Sequence, residues 1–346
     1  MSTTLVEGVQ SGIGRLWVAK QSAVGSKTAA GSANQFSPKL VESTLVAHKA
    51  FGKAEYVDGE KYENSQIFTN EIAGELGNFK VLGQPESAGR LLAHFFNEDV
   101  VTGTGPYVHT ITTTGVGGLY NTIHQLTGAS GNAVEHIYWD ALLDMFSFEC
   151  SSADPASMLD FKLLGRVGGE VYTSAPTAAI ASQDAIAWPN VEGTITIDGT
   201  VYESIQGEKI EVDNQSDIAR GDSPEVVSFI SKRGTVTRSL TTFFNDETLP
   251  LFYLSLYNDS TPSAGAVPTS DVVSADVSTT YTVATNQYIT FTTPNLTFEP
   301  QEFQPVSPKG EGGAMELTLS GACRKDGSDP ALTIEVGSTT SSAAWV

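Results

Sequence analysis

Residues 137–150 read IYWDALLDMFSFEC, and the reading of this stretch decides the fold. From Asp144 onward the residue types alternate. Asp144, Phe146 and Phe148 share one face, and Met145, Ser147 and Glu149 share the other. Period two is the signature of a half-buried strand, so Phe146 and Phe148 are expected to point into a core. The same alternation recurs in LDFKLL (159–164), TITID (194–198), KIEVDN (209–214), LTFEP (296–300) and MELTLSG (315–321). Helical spacing is scarce. ESAGRLLAHFF (86–96) follows Pro85 and is apolar at Leu91, Leu92, Phe95 and Phe96, while ETLPLFYLSLY (247–257) is a second candidate weakened by Pro250. The fold class is therefore mainly β, with two short helices.

The chain also resembles itself. IYWDALLDMFSFEC (137–150) overlays QYITFTTPNLTFEP (287–300) without a gap, setting Tyr138 on Tyr288, Phe146 on Leu296, Phe148 on Phe298 and Glu149 on Glu299. LDFKLLG (159–165) overlays MELTLSG (315–321), setting Asp160 on Glu316, Phe161 on Leu317 and Gly165 on Gly321. Upstream, GELGNFKVL and the first helix parallel SKRGTVTRSL and the second. Three pairs in one order predict two related β-sandwich or barrel domains with a short helix each. The expected divisions are an arm (1–50), a first β-domain (51–171), an Ala-, Ser- and Pro-rich linker (172–194), a second β-domain (195–337) and a polar tail (338–346). A further loose stretch is expected over 259–280, where Pro262 and Pro268 stand among many Ser and Thr.

At 346 residues, with 40% apolar content, the chain can bury two cores of ordinary size. Its balance is acidic, with 40 Asp plus Glu against 19 Lys plus Arg and a net charge of -21. That excludes a protein that grips nucleic acid, which needs a basic footprint, and one that adsorbs to anionic membrane. Residues 1–50 run the other way. Arg15, Lys20, Lys27, Lys39 and Lys49 face only Glu7 and Glu42, as suits an arm docking on a neighbouring copy. The start MSTTLVEGVQSGIGRLW has no basic region ahead of a long apolar run, so no signal peptide is expected, and no apolar run reaches about 18 residues. Cys150 and Cys323 lie in strand-like segments without metal spacing, and two buried thiols are the expected state.

Catalytic patterns are missing. The chain has no nucleophile elbow and no phosphate-binding glycine loop, and GVQSG (8–12) has the wrong spacing. None of the five histidines forms a metalloprotease pair. His124, His136 and Asp140 would need a fold-enforced geometry to hold a metal. DNQSDIARGDS (213–223) lacks calcium-loop spacing and reads as a polar hairpin tip. Glu208, Glu211 and Asp213 lie on one strand, with Glu211 and Asp213 beside Lys209 and opposite Ile210 and Val212, the pattern of a solvated face. No metal, cofactor or catalytic residue is expected.

Several segments in order resemble the tail tube proteins of long-tailed, siphovirus-type bacteriophages. They are GIGRLWVAKQSAVGSKTAA at the start, GNFKVLGQPESAGRLLAHFF (77–96), GPYVHTITTT (105–114) and the strand ending FSFEC. YESIQGEKIEVDNQSDIARGDSPEVVSF (202–229) and KRGTVTRSLTTFFND (232–246) continue the likeness. The resemblance implies a non-enzymatic virion protein, assembled in the host cytoplasm, whose long strands join those of neighbouring subunits in a tube-lining barrel. It implies stacked rings, which a duplicated chain would build as trimers rather than hexamers. The implied partners are other copies, tail-tip, tape-measure and terminator proteins, and DNA that passes without specific binding. Glu149, Asp160, Glu299 and Glu316 each oppose an apolar neighbour on their strands. With Glu211 and Asp213 they are the candidate lumen-facing carboxylates. The alternatives are a capsid-decorating or tail-tip β-protein and, less favoured, a polysaccharide-degrading virion enzyme.

Overall fold

Alternation becomes strand at every stretch named above. The computed structural model describes residues 14–29, 35–46, 49–56, 64–72, 74–113, 118–127, 134–151, 156–172, 193–222, 225–243, 245–266, 274–300, 316–339 and 344–346. The first half holds β1 (Gly14–Lys20), β2 (Gln35–Phe36), β3 (Leu40–Ser43), β4 (Lys49–Tyr56), β5 (Asn64–Ile72), β6 (Gly74–Leu82), helix α1 (Pro85–Phe96), β7 (Val100–Thr102), β8 (Tyr107–Thr112), β9 (Tyr120–Thr127), β10 (Val134–Ser151) and β11 (Met158–Tyr172). The second holds β12 (Gly193–Ile197), β13 (Thr200–Tyr202), β14 (Ile205–Asp213), β15 (Asp217–Arg220), β16 (Val226–Ile230), β17 (Thr235–Phe243), helix α2 (Leu249–Tyr257), β18 (Ser274–Ala284), β19 (Gln287–Phe298), β20 (Glu316–Cys323) and β21 (Thr333–Ser338).

All ladders are antiparallel. In the first half the hydrogen-bonded neighbours run β2–β1–β9–β10–β11–β6–β3. In the second they run β13–β12–β18–β19–β20–β17–β14. The two series have the same strand order, and each inserts a separate hairpin, β4–β5 or β15–β16, at the same point. The register does not follow the sequence overlay, however. Phe148 faces Leu159, whereas Phe298 faces Gly321 rather than the overlaid Met315, a shift of six residues. Repeated patterns of alternating residues allow several gapless overlays, and only cross-strand packing selects a register.

The halves join through β10, whose Met145–Ser151 stretch pairs with β14, and through β21, which lies between β19 and β8. One continuous sheet of eight strands results, in the order β3–β6–β11–β10–β14–β17–β20–β19. One face of it is core. Phe146, with Phe161 beside it, meets Phe95 of α1 at 5.1 Å between ring centroids, and Phe148 meets Tyr281 and Phe291 at 5.3 and 4.5 Å.

The expected N-terminal arm is corrected. Leu16, Trp17, Val18 and Ala19 are buried, and β1 pairs with β9 along its whole length. Four adjacent large or apolar side chains bury too much surface to remain an arm, whatever the surrounding Gly and Ser suggest; residues 1–13 lie outside the described ones. The expected loose stretch 259–280 is also corrected, since β18 begins at Ser274. Its buried positions are Ala275, Val277, Thr279 and Tyr281, and the threonine hides the apolar alternation. The polar tail holds Trp345, which is buried and stacks on His109 at 3.6 Å. The linker, apart from Tyr172, Gly193 and Thr194, lies outside the described residues.

Candidate functional site

The face of the eight-stranded sheet opposite the core is mostly polar. Reading across the ladders, Glu42, Lys80, Asp160, Ser147, Glu211, Thr237, Ala322 and Thr297 stand in one row. The row beside it runs Leu82, Met158, Glu149, Lys209, Ser239 and Ser320, and Glu299 extends it by donating its backbone N–H to the Ser320 carbonyl at 2.8 Å. A third row holds Asn78, Lys162, Met145, Asp213 and Thr235. Their strand neighbours Phe79, Phe161, Phe146, Ile210, Leu240 and Leu319 are buried. Alternation thus sorts each strand, and the shared register aligns the sorted residues across both halves.

The structure brings five of the six sequence-predicted carboxylates together on this face: Glu149, Asp160, Glu211, Asp213 and Glu299. Glu316 opens β20 in register with Phe243, two residues before Thr318 of the same sheet. Glu42 and Glu75 join them, and sequence reasoning missed both. Glu75 was legible in the alternation of GELGNFKVL; Glu42 was hidden in the supposed arm.

Each lysine on this described face stands beside a carboxylate. Lys209 Nζ lies 2.9 Å from Glu211, Lys162 Nζ lies 3.4 Å from Glu75, and Lys80 is in register with Asp160 and Glu42. Glu149 and Glu299 are exposed, and Glu299 accepts a hydrogen bond from Ser320 Oγ at 3.3 Å. Partial burial raises the Asp160 carboxyl above its usual range; Glu42 adds to the shift and Lys80 opposes it. Hydroxyls of Thr237, Ser239 and Ser320 fill much of the remainder. Such a surface is hydrated, with carboxylates in excess and no cationic stripe.

Three histidines that might suggest chemistry have structural partners. His94 meets Asn121 and the Trp345 carbonyl, His109 meets Asp99, and His124 meets Glu135 and the Thr28 carbonyl. Asp140 accepts from Gln21 Nε2 and Gly25 N–H, so His124, His136 and Asp140 form no ligand set, and no metal-ligating group of three occurs among the described residues. Asp213 accepts from Gln215 N–H, but the hairpin tip expected over 213–223 is corrected: only residues 214–216 connect strands there, because Asp217–Arg220 is β15, paired with β16. Cys150 and Cys323 are buried and form no disulfide. One groove is lined by Phe95, Phe96, Lys232, Arg233, Arg324 and Lys325 among others, and no carboxylate or histidine stands among its described lining residues to act as acid or base. No helix among the described residues is long and apolar enough to cross a membrane.

Residues 69–323 match the family model described as "Phage tail tube protein". No curated protein matches the chain.

Proposed function

The chain belongs to the phage tail tube protein family, structural components of the virion tail and not enzymes, and from that premise we propose that three copies close each ring of the tube. The observation that carries this is the eight-stranded sheet. Within the chain, the C-terminal part of β10 accepts β14 as its neighbour. In the repeated strand order β19 corresponds to β10, and β3 to β14. β3 pairs with β6 alone among the described strands, so its other edge is open to a neighbour. Pairing of β3 in the next copy with β19 from Phe298 onward, past Thr297 where the pairing with β18 ends, would repeat the β10–β14 joint between chains.

Three copies then give a barrel of about 24 strands. With strands ~4.8 Å apart and tilted ~40°, its backbone diameter is roughly 50 Å, wider than barrels that already hold an aqueous channel. Closure would leave neither edge of this sheet exposed. The polar face would line the channel, because the opposite face is filled by the core. Carboxylates there would repel duplex DNA, which carries one charge per ~1.7 Å, over a screening length of ~8 Å. DNA would pass without being gripped. Rings joined head to tail stack into an open-ended tube.

A reconstruction of assembled tubes tests the ring. Three-fold symmetry with each chain filling two of six lobes is expected. Six-fold symmetry with one whole chain per lobe would overturn it.

A further inference from the structure

Helix α1 is covered on every side, with eleven of its twelve residues buried. Part of the cover comes from the second half of the chain. A Cβ on Gly89 would lie 2.5 Å from the Trp345 ring and 3.2 Å from Val336 of β21, so these residues press directly on the helix. Helix α2 is its counterpart. It too follows a strand of the eight-stranded sheet, carries Pro in its first turn and ends on an αL asparagine, Asn97 in α1 and Asn258 in α2. Yet only Leu251, Phe252 and Ser255 of its nine residues are buried. Leu249, Tyr253, Leu254, Leu256 and Tyr257 remain half-buried, and the helix LPLFYLSLY contains no charged residue. A helix that stays at a solvent surface has a polar face; one that is apolar all round is normally buried.

We propose that the apolar surface of α2 is a docking surface for a second copy of this chain, covered by the C-terminal half of that copy's β11. The occupant follows from the strand order. β20 and β21 together run along β19 as β11 runs along β10: Cys323 faces Leu296 and Val336 faces Ile289, with residues 324–332 interrupting the run. β21 therefore corresponds to the second half of β11, about residues 166–172. Within the chain β21, in the second half, covers the helix of the first half. One step further around the ring, the following copy's β11 stands where it would cover α2. The inference rests on the trimeric ring proposed above and adds to it a second, apolar contact beside the β3–β19 joint.

Two charged variants, Leu254→Asp and Tyr257→Asp, test it in the full chain. Both should give folded subunits, with circular dichroism and unfolding midpoints near wild type, and at least a tenfold higher concentration for ring formation, about 1.4 kcal/mol per contact. Cysteine at Leu254 paired with cysteine at Arg166, Gly168 or Glu170 should give disulfides between chains in assembled tubes. Wild-type rings with variants that assemble equally well would overturn the docking surface and leave the tube standing. Cross-links only within one chain would overturn the chosen occupant. Failure of the wild-type chain itself to form rings would instead sink the ring on which both depend.

Discussion

Arg238 Nε donates to Glu208 Oε1 over 2.6 Å at a point where neither side chain reaches solvent. Arg238 Nη1 also donates to the Val277 carbonyl at 2.6 Å and to Thr293 Oγ1 at 2.8 Å, and its Nη2 bonds to Thr279 Oγ1. Glu208 Oε2 accepts from the Tyr281 hydroxyl at 2.7 Å. The pair thus ties β14 and β17 of the eight-stranded sheet to β18 and β19. Full hydrogen bonding offsets the cost of removing both charges from water, so the pair fixes how the layers meet more than it adds net stability.

Breaking that pair from one side strands a buried charge. Arg238→Met alone or Glu208→Leu alone should each cost about 3–5 kcal/mol. The double variant should be more stable than either, because no charge remains unpaired. Denaturant unfolding of the unassembled chains checks this; additive losses would contradict it.

His94 makes stability fall in acid. Burial, opposed in part by Asn121 and the Trp345 carbonyl, lowers its pKa from 6.5 to about 4. Between those values the unfolded chain takes up a proton that the folded chain refuses. The contribution is therefore complete above pH 6.5 and is lost as pH falls towards 4, by up to roughly 3 kcal/mol. Unfolding of wild type and His94→Gln at pH 7, 5.5 and 4 should show the wild type losing more.

Gly89 and Trp345 should behave as one unit. Trp345→Ala should cost about 3–5 kcal/mol through lost packing. Gly89→Ala should expel the same ring, since its new methyl would occupy the ring's place. The double variant should then cost little more than Trp345→Ala alone, a coupling that a double-mutant cycle reads directly.

At the open edge of β3 a proline tests assembly without touching the core. Thr44 and Val46 donate their N–H groups to β6, so alternation turns the Ser43 N–H outward. Ser43→Pro should leave a folded chain that forms no rings, as prolines on edge strands are tolerated when the lost donor faces away. Normal tubes from this variant, seen by negative stain, would exclude β3 as a ring joint.

Reversing charge on the polar face separates assembly from passage. Glu149→Lys with Glu299→Lys should leave tube length unchanged and slow DNA ejection from virions carrying the variant. Unchanged ejection kinetics would remove these carboxylates from the channel.

Local pattern alone determined the strand class, the two helices and the face on which Glu149, Asp160, Glu211 and Asp213 lie. Period two and its flanking apolar residues are properties of adjacent positions, so they need no knowledge of distant ones. Three things were decided only in the tertiary structure. The run Leu16–Ala19 became a strand because β9 offered an edge to pair with, although its surroundings read as an arm. Arg238 occupies a core position because Glu208, Thr279 and Tyr281, far apart in sequence, converge on it; the visible sign was a charge between Val236 and Leu240 in the alternation. The eight-stranded sheet that unites the carboxylates exists because β10 outruns β9 and exposes an edge that β14 fills. Which strand meets which edge, and in which register, depends on packing between remote segments, and alternation is silent about that.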